Sequence, residues 1–368
     1  MIYLDHGATS FVKPRQVSRA VQRALVRCAN PGRGGYGAAR SAAEVVYGCR
    51  EAAGKLFGCH MEQVVFTSNC THGLNIAIRS LVKPGAKVVV SGFEHNAVTR
   101  PLHSLGTELY VAGRKLFDWE DTLNHFEDAL RGADAAVFTH VSNVFGYILP
   151  VEQMAALCRE RGIPFIIDAA QSAGSIPISM TGLGADFIAM PGHKGLLGPQ
   201  GTGLLLCKNG AEPLLMGGTG SDSIRQDMPE YLPDRLEAGT LNVPGIAGLR
   251  AGLDFLHRTG VETIGEREHR QAERCGAKLK KLGYKVFSGP HQGGTVSFLA
   301  KGDCEETAEE LARRGIAVRA GLHCAPLAHT SAGTLDSGTV RVSFGWDASD
   351  AQSSYLIEAL SKGKTRKT

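Results

Sequence analysis

The sequence has no Cys-x-x-Cys pair, and its nine cysteines are scattered. An odd, unclustered set speaks against a disulfide framework and a structural zinc site, and it makes a reducing cytoplasm the expected setting. No apolar run approaches the length needed to cross a bilayer, so no membrane association is expected. Met1-Ile2-Tyr3-Leu4-Asp5 reads as strand from the outset, which leaves no room for a cleavable signal. A strong charge imbalance is also missing. The formal net charge is +4, and no basic stripe is interleaved with aromatics, so nucleic acid is not an expected partner. The basic ending from Lys362 to Lys367 reads as a solvated tail. There is no internal repeat, no low-complexity block and no Gly-Lys-Ser/Thr phosphate loop. With 43% hydrophobic and 21% charged residues, what remains is an ordinary soluble globular composition, long enough for two domains.

Forty-six glycines are many, and they cluster at turns, as expected where backbone approaches a ligand. From about residue 60 to 210, short β-branched runs alternate with helical periodicity. Strands are expected at 64–67, 87–91, 108–112, 135–141, 164–168, 186–190 and 202–207, with helices over 71–82, 95–105, 118–131 and 150–161. This alternation predicts an α/β fold with a mostly parallel, doubly wound sheet, whose ligands gather beyond the carboxyl ends of the strands. The first fifty-odd residues read mainly as helix with a Gly-rich turn at 32–37, and 211–245 reads as loops around a site. After Pro244 come helices over 246–258 and 261–282, strands at 284–288, 294–299, 316–320 and 339–344, and helices over 304–314 and 348–361. The expected organisation is a large α/β domain over 15–245 and a smaller α+β domain over 246–368, with 1–14 packing near the latter.

Lys194 lies in Met190-Pro191-Gly192-His193-Lys194-Gly195, just after an apolar run, and Asp168 closes another, Pro164-Phe165-Ile166-Ile167-Asp168. A strand-end carboxylate and a lysine on a glycine-flanked turn are what pyridoxal phosphate chemistry needs. The lysine forms a Schiff base with the aldehyde, and the aspartate keeps the pyridine nitrogen protonated so that the ring takes up a carbanion's electrons. Thr67-Ser68-Asn69-Cys70-Thr71-His72-Gly73 joins a strand to a helix and offers a hydroxyl and backbone N–H groups to a phosphate, although taken alone it is an ordinary N-cap. His95, past another strand end, suits stacking on a pyridine ring and exchanging protons as a catalytic group or, equally, a capping role. Asn143 and Gln171 are strand-end amides placed to bind the cofactor at its phenolic oxygen or the substrate, a type that turns carry for local reasons too. Cys324 is flanked by His323 and Pro326 and followed by Thr330-Ser331-Ala332-Gly333, a loop composition. A lone cysteine is more often a buried hydrophobe, but a mobile exposed thiol beside histidine suits a nucleophile. Arg341 opens a strand after that loop, with a planar fork suited to a carboxylate or to a surface ion pair. Lys194, Asp168 and Cys324 together suggest sulfur removal from an amino acid.

Two patterns are decoys. Gly32-Arg33-Gly34-Gly35-Tyr36-Gly37 has dinucleotide-binding spacing but follows a helix and an Asn-Pro break instead of a strand. Ala170-Gln171-Ser172-Ala173-Gly174 follows a strand like a nucleophile elbow, yet lacks the elbow's first glycine.

Nearly end to end, the chain resembles the class V aminotransferase family, and within it the cysteine desulfurases. The stretches that carry the likeness are Leu4-Asp5 with Ala8-Thr9, Asn30-Pro31-Gly32-Arg33, Thr67 to Thr71, Glu94 to Val98, Ser142-Asn143, Asp168 to Gln171, Gly192 to Gly201, Glu237 to Thr240, and Arg319 to Pro326. The resemblance implies a fold-type I pyridoxal-phosphate enzyme. Lys194 would carry the cofactor and move the α-proton, Asp168 would pair with the pyridine nitrogen and Gln171 with the phenolic oxygen, and His95 would stack on the ring. Thr71, the backbone of His72, and His193 would hold the phosphate. Thr240 would reach the cofactor phosphate of a neighbouring subunit, which implies a homodimer. Asn143 and Arg341 would hold the substrate carboxylate. Cys324 would take sulfur from L-cysteine, leaving L-alanine and an enzyme persulfide for a sulfur-acceptor protein, in iron–sulfur cluster or thio-cofactor synthesis. The short interval from Cys324 to Arg341 resembles the branch with a compact catalytic loop. Selenocysteine lyase, another class V aminotransferase or epimerase, and a sulfur-relay scaffold without turnover are the rival readings. The chain departs from the family at Pro191, where a hydroxyl residue is usual, at His6-Gly7 in place of Asn-Ala, and at Tyr36 in place of a histidine.

Overall fold

The computed structural model describes residues 1–32 and 34–362. Arg33, part of two motifs above, and the basic tail beyond Lys362 lie outside the described residues. Seven strands form a central sheet in the spatial order Val64–Thr67, Gly203–Cys207, Phe187–Pro191, Phe165–Asp168, Ala135–Thr139, Lys87–Ser91, Glu108–Ala112. Gly203–Cys207 runs antiparallel to both neighbours and the other six strands are mutually parallel. The exception has a local cause. Residues 192–202 contain no helix, so the chain has no crossover there and returns beside the strand it has just left. Elsewhere the helices Cys70–Leu81, Asn96–Ser104, Trp119–Ala129 and Val151–Arg161 lie between strands as expected. The alternation of side chains along each strand feeds two cores: Val88, Val90, Val137 and Ile166 pack on one face, and Val89, Phe138, Ile167 and Ile188 on the other.

Differences from expectation are small and have causes. The strand expected over 135–141 stops at Thr139, because the His140 N–H turns to the Asp168 carbonyl and Val141 pairs with Ile148. The helix expected to start after Pro244 is Val243–Thr259: a proline in the first turn loses no hydrogen bond, and Asn242 caps the end by accepting from the Gly245 N–H. The single strand expected over 316–320 is two. Ile316–Ala317 pairs in parallel with Ile2–Tyr3, whereas Arg319–Gly321 joins an antiparallel sheet with Thr339–Ser343, Thr295–Phe298 and Val286–Phe287. Two short helices, Met180–Leu183 and Pro326–Ala332, fall in segments expected to be loop. No helix among the described residues is long and apolar enough to cross a membrane.

Candidate active site

Beyond the carboxyl ends of the parallel strands lies a cavity of about 110 Å³ lined by Asp168, His95, Gln171, Lys194, Thr71 and His193, with Asn143 and Pro191 on its walls. Asp168 ends its strand, His95 caps the helix Asn96–Ser104, and Thr71 sits in the first turn of Cys70–Leu81. Lys194 is fixed by close backbone packing. A side chain on Gly195 would lie 2.2 Å from the Ala173 carbonyl, and one on Gly174 would lie 2.2 Å from the Gly195 carbonyl. Only glycine pairs admit that approach.

One end of this cavity is tightly specified. The Asp168 carboxylate is almost wholly buried and accepts the Ala170 N–H at 2.9 Å and the Cys70 thiol at 3.4 Å, both on Oδ1. Oδ2 is thereby left for a ring N–H. Cys70 was not singled out by sequence reasoning, because a buried thiol after a strand has no distinguishing pattern. Burial, with Asp168 next to it, pushes that thiol well up, so it stays a donor. Nδ1 of His95 accepts the Ala97 N–H at 3.0 Å, which puts the imidazole proton on Nε2, and burial holds the ring below its ordinary pKa and thus neutral. The Gln171 amide donates to the Gly7 carbonyl at 2.9 Å and retains a second N–H. Burial, reinforced by Arg341 and opposed by Asp168, holds the Lys194 amine below the usual lysine value.

The opposite end is sparser. Among the backbone donors at the start of Cys70–Leu81, the His72 N–H is already bonded at 2.9 Å to the side-chain oxygen of Asn69, the N-cap residue. Pro191 contributes no donor. His193 Nδ1 pairs with the Thr9 hydroxyl at 3.1 Å, and burial, then Lys194 and Lys13, push its pKa down to about 4. Thr71 is exposed. Thr240 is not at this cavity. It lies in another of about 440 Å³, together with Asn30, Pro31 and Gly32, so two motifs far apart in sequence meet there.

Arg341 is a strand residue, but it is buried and not at a surface. Its guanidinium makes an ion pair with Asp5 at 2.6 Å and donates to the Asn143 carbonyl at 2.9 Å. The Arg341 Nε and the Asn143 Oδ1 are buried without hydrogen-bond partners. Such orphaned groups are costly unless a ligand meets them. Gly7 admits the guanidinium closely, since a Cβ there would lie 3.1 Å from Cζ. The other half of that departure, His6, is buried 3.7 Å from Asp347.

Cys324 is exposed, whereas Cys49, Cys70, Cys158, Cys207, Cys275 and Cys304 are buried. Its setting differs from a free loop. The Asn96 N–H bonds to the Cys324 carbonyl and the Asn143 side chain to the His323 carbonyl, each at 2.8 Å, so the rim of the cavity grips the turn from two sides. His323 and Cys324 have φ of 49° and 55°, a conformation that non-glycine residues adopt at a cost of about 1 kcal/mol each. Thr330, Ser331 and Ala332, read as loop, close the short helix, and the Ser331 hydroxyl donates to the Gly92 carbonyl at 2.8 Å. Ser172 of the elbow-like stretch is fully buried and its hydroxyl has no partner, which removes it as an exposed nucleophile.

Known proteins resemble the chain over nearly its whole length. The family model described as aminotransferase class-V matches residues 2–356. A protein of Methanothermobacter thermautotrophicus named "Probable cysteine desulfurase" is 32% identical over 378 residues, covering 98% of this chain and 94% of its own. One of the same name from Pyrococcus abyssi is 31% identical, covering 94% of this chain and 89% of its own. The solved apo structure of a cysteine desulfurase from Thermococcus onnurineus superposes with a TM-score of 0.91 at 30% identity, over 98% of this chain and 94% of that one.

Proposed function

The chain belongs to the class-V aminotransferase family, and from that premise we propose that it is a pyridoxal-phosphate-dependent cysteine desulfurase, converting L-cysteine to L-alanine and a persulfide on Cys324. The observation that carries this reading is the pairing of two unlike groups. A desolvated lysine lines a cavity with a buried aspartate, and an exposed thiol is held at the rim of the same cavity.

The donor set fits the cofactor at its ring: Asp168 for the pyridine nitrogen, His95 for the ring face, Gln171 for the phenolic oxygen and Lys194 for the aldehyde. Thr71, the His72 backbone, His193 and a partner subunit's Thr240 would meet the phosphate. When bound, the cofactor supplies an electron sink for charge that builds on the substrate carbons. This chain's residues do the rest. Arg341 and Asn143 bind the substrate carboxylate: the orphaned Arg341 Nε gains an acceptor, and the Asn143 amide has a second N–H to donate. Lys194, poised below its ordinary basicity, takes and returns the α-proton. Cys324 bonds to the substrate sulfur as the carbon–sulfur bond breaks, so the sulfur stays on the enzyme and the carbon skeleton leaves as alanine. A homodimer, a sulfur-acceptor protein, a cytoplasmic setting and a division into domains at 245/246 belong to the same proposal.

The test is direct. Protein loaded with pyridoxal phosphate and given L-cysteine without reductant should gain the mass of one sulfur atom on the peptide that contains Cys324, and Cys324→Ala should gain none. Sulfur on another cysteine, or alanine formation undiminished in Cys324→Ala, would refute the assignment.

A further inference from the structure

We infer that the Asn69 side chain is a built-in competitor for the phosphate of the cofactor, and that it sets how tightly this chain retains that cofactor. The inference rests on the pyridoxal-phosphate reading above. Its starting point is a conflict within the site: the phosphate would take the His72 N–H, yet Asn69 Oδ1 already holds that N–H at 2.9 Å. Both acceptors want the same atom.

The surroundings decide which part of Asn69 gives way. Its backbone is wedged. The Thr67 hydroxyl donates to the Asn69 carbonyl at 3.0 Å, and a Cβ on the neighbouring Gly203 would come within 2.8 Å of the Asn69 carbonyl carbon. The side chain, by contrast, is exposed and otherwise makes only a long 3.4 Å contact from Nδ2 to the Ser68 hydroxyl. It can rotate out while the backbone stays. A phosphate dianion at a helix start makes stronger, charge-assisted bonds than a neutral amide, so it wins the exchange. The exchange is not free, because the cap bond must be broken first, and the apparent affinity falls by the corresponding factor. For a typical N-cap that factor is about five-fold. The neighbouring donors are few: Pro191 on the cavity wall has none to offer, and one ring nitrogen of His193 is engaged with Thr9.

The experiment titrates cofactor-free protein with pyridoxal phosphate and, separately, with pyridoxal, which lacks the phosphate, and reads the visible absorbance of the lysine-bound aldehyde. Asn69→Gly keeps a tolerable cap residue but removes the competing oxygen. It should bind pyridoxal phosphate about two-fold more tightly than wild type, glycine being nearly as good a cap as asparagine, and pyridoxal equally well. Asn69→Asp, as good a cap as asparagine and so insensitive to a folding loss in the glycine variant, should bind pyridoxal phosphate at least about ten-fold more weakly, again with pyridoxal unchanged. Unaltered phosphate-dependent affinity in both variants, a weaker Asn69→Gly, or parallel changes with pyridoxal would overturn the inference. Wild-type protein that takes up neither aldehyde would instead overturn the cofactor assignment itself.

Discussion

The two ends of the 110 Å³ cavity are built to different standards. At the Asp168 end the groups that face the ring are held in place: Cys70 and Ala170 hold one carboxylate oxygen, and Ala97 fixes the His95 proton. At the Asn69 end a backbone donor is already occupied, a wall position is proline, and Thr71 faces solvent. Groups that act on a reaction must be placed before it starts, since preorganised dipoles are effective only where they do not have to move. Groups that merely hold a phosphate can be exchanged one for another at modest cost. The ring end is therefore expected to govern turnover and the phosphate end to govern retention.

The largest break in that contrast comes from Asp168→Asn. Turnover of L-cysteine at saturating cofactor should fall by about 10²–10³-fold, with cofactor affinity changed only a few-fold. A variant that loses cofactor instead of rate would reverse the roles of the two ends. Pro191→Ser should do the opposite, tightening pyridoxal phosphate by about ten-fold through one added donor to a charged group while turnover at saturation stays put. Smaller still is Cys70→Ala, which removes a weak donor from Asp168. A fall in turnover of a few-fold, with Cys70→Ser close to wild type, is expected from steady-state kinetics.

A pH series sharpens the comparison without a mutation. The Lys194 amine must be neutral to capture the aldehyde, and burial holds it below the ordinary value of 10.5. A lowered pKa means the neutral form appears at lower pH than in a solvated lysine. The rate of cofactor uptake should thus rise with pH and level off below 10.5. A midpoint at the ordinary lysine value would show that the amine is not desolvated.

Much of the fold was legible because it depends on periodicity. The seven strands of the central sheet lie within two residues of the expected positions, since each is a short apolar run bounded by helices or turns. What periodicity cannot reveal is pairing across the chain. The split of 316–321 between two sheets is dictated by Ile2–Tyr3, far away in sequence. The site divides in the same way. Lys194, Asp168 and His95 announce themselves by strand-end position, and the structure brings them together with Gln171, Thr71, His193 and Asn143. Asp5 and Cys70 were illegible as functional residues because their importance comes from what they touch, Arg341 and Asp168. Cys324 was found for its composition, but its anchoring was not: a proline and small residues look like loop until Ala325, Ala328 and His329 are seen to be buried. The turn that carries the thiol is gripped at its backbone, so transfer to an acceptor calls for movement of the side chain or release of the Asn96 and Asn143 bonds.

The central claim is that sulfur and carbon skeleton part company at this one site. Incubation of the cofactor-loaded protein with L-cysteine and excess thiol reductant, with alanine and sulfide measured in the same samples, tests it most directly. The account predicts equal amounts of both, rising together over many turnovers. Alanine without sulfide, or neither product from protein that has visibly bound its cofactor, would contradict it.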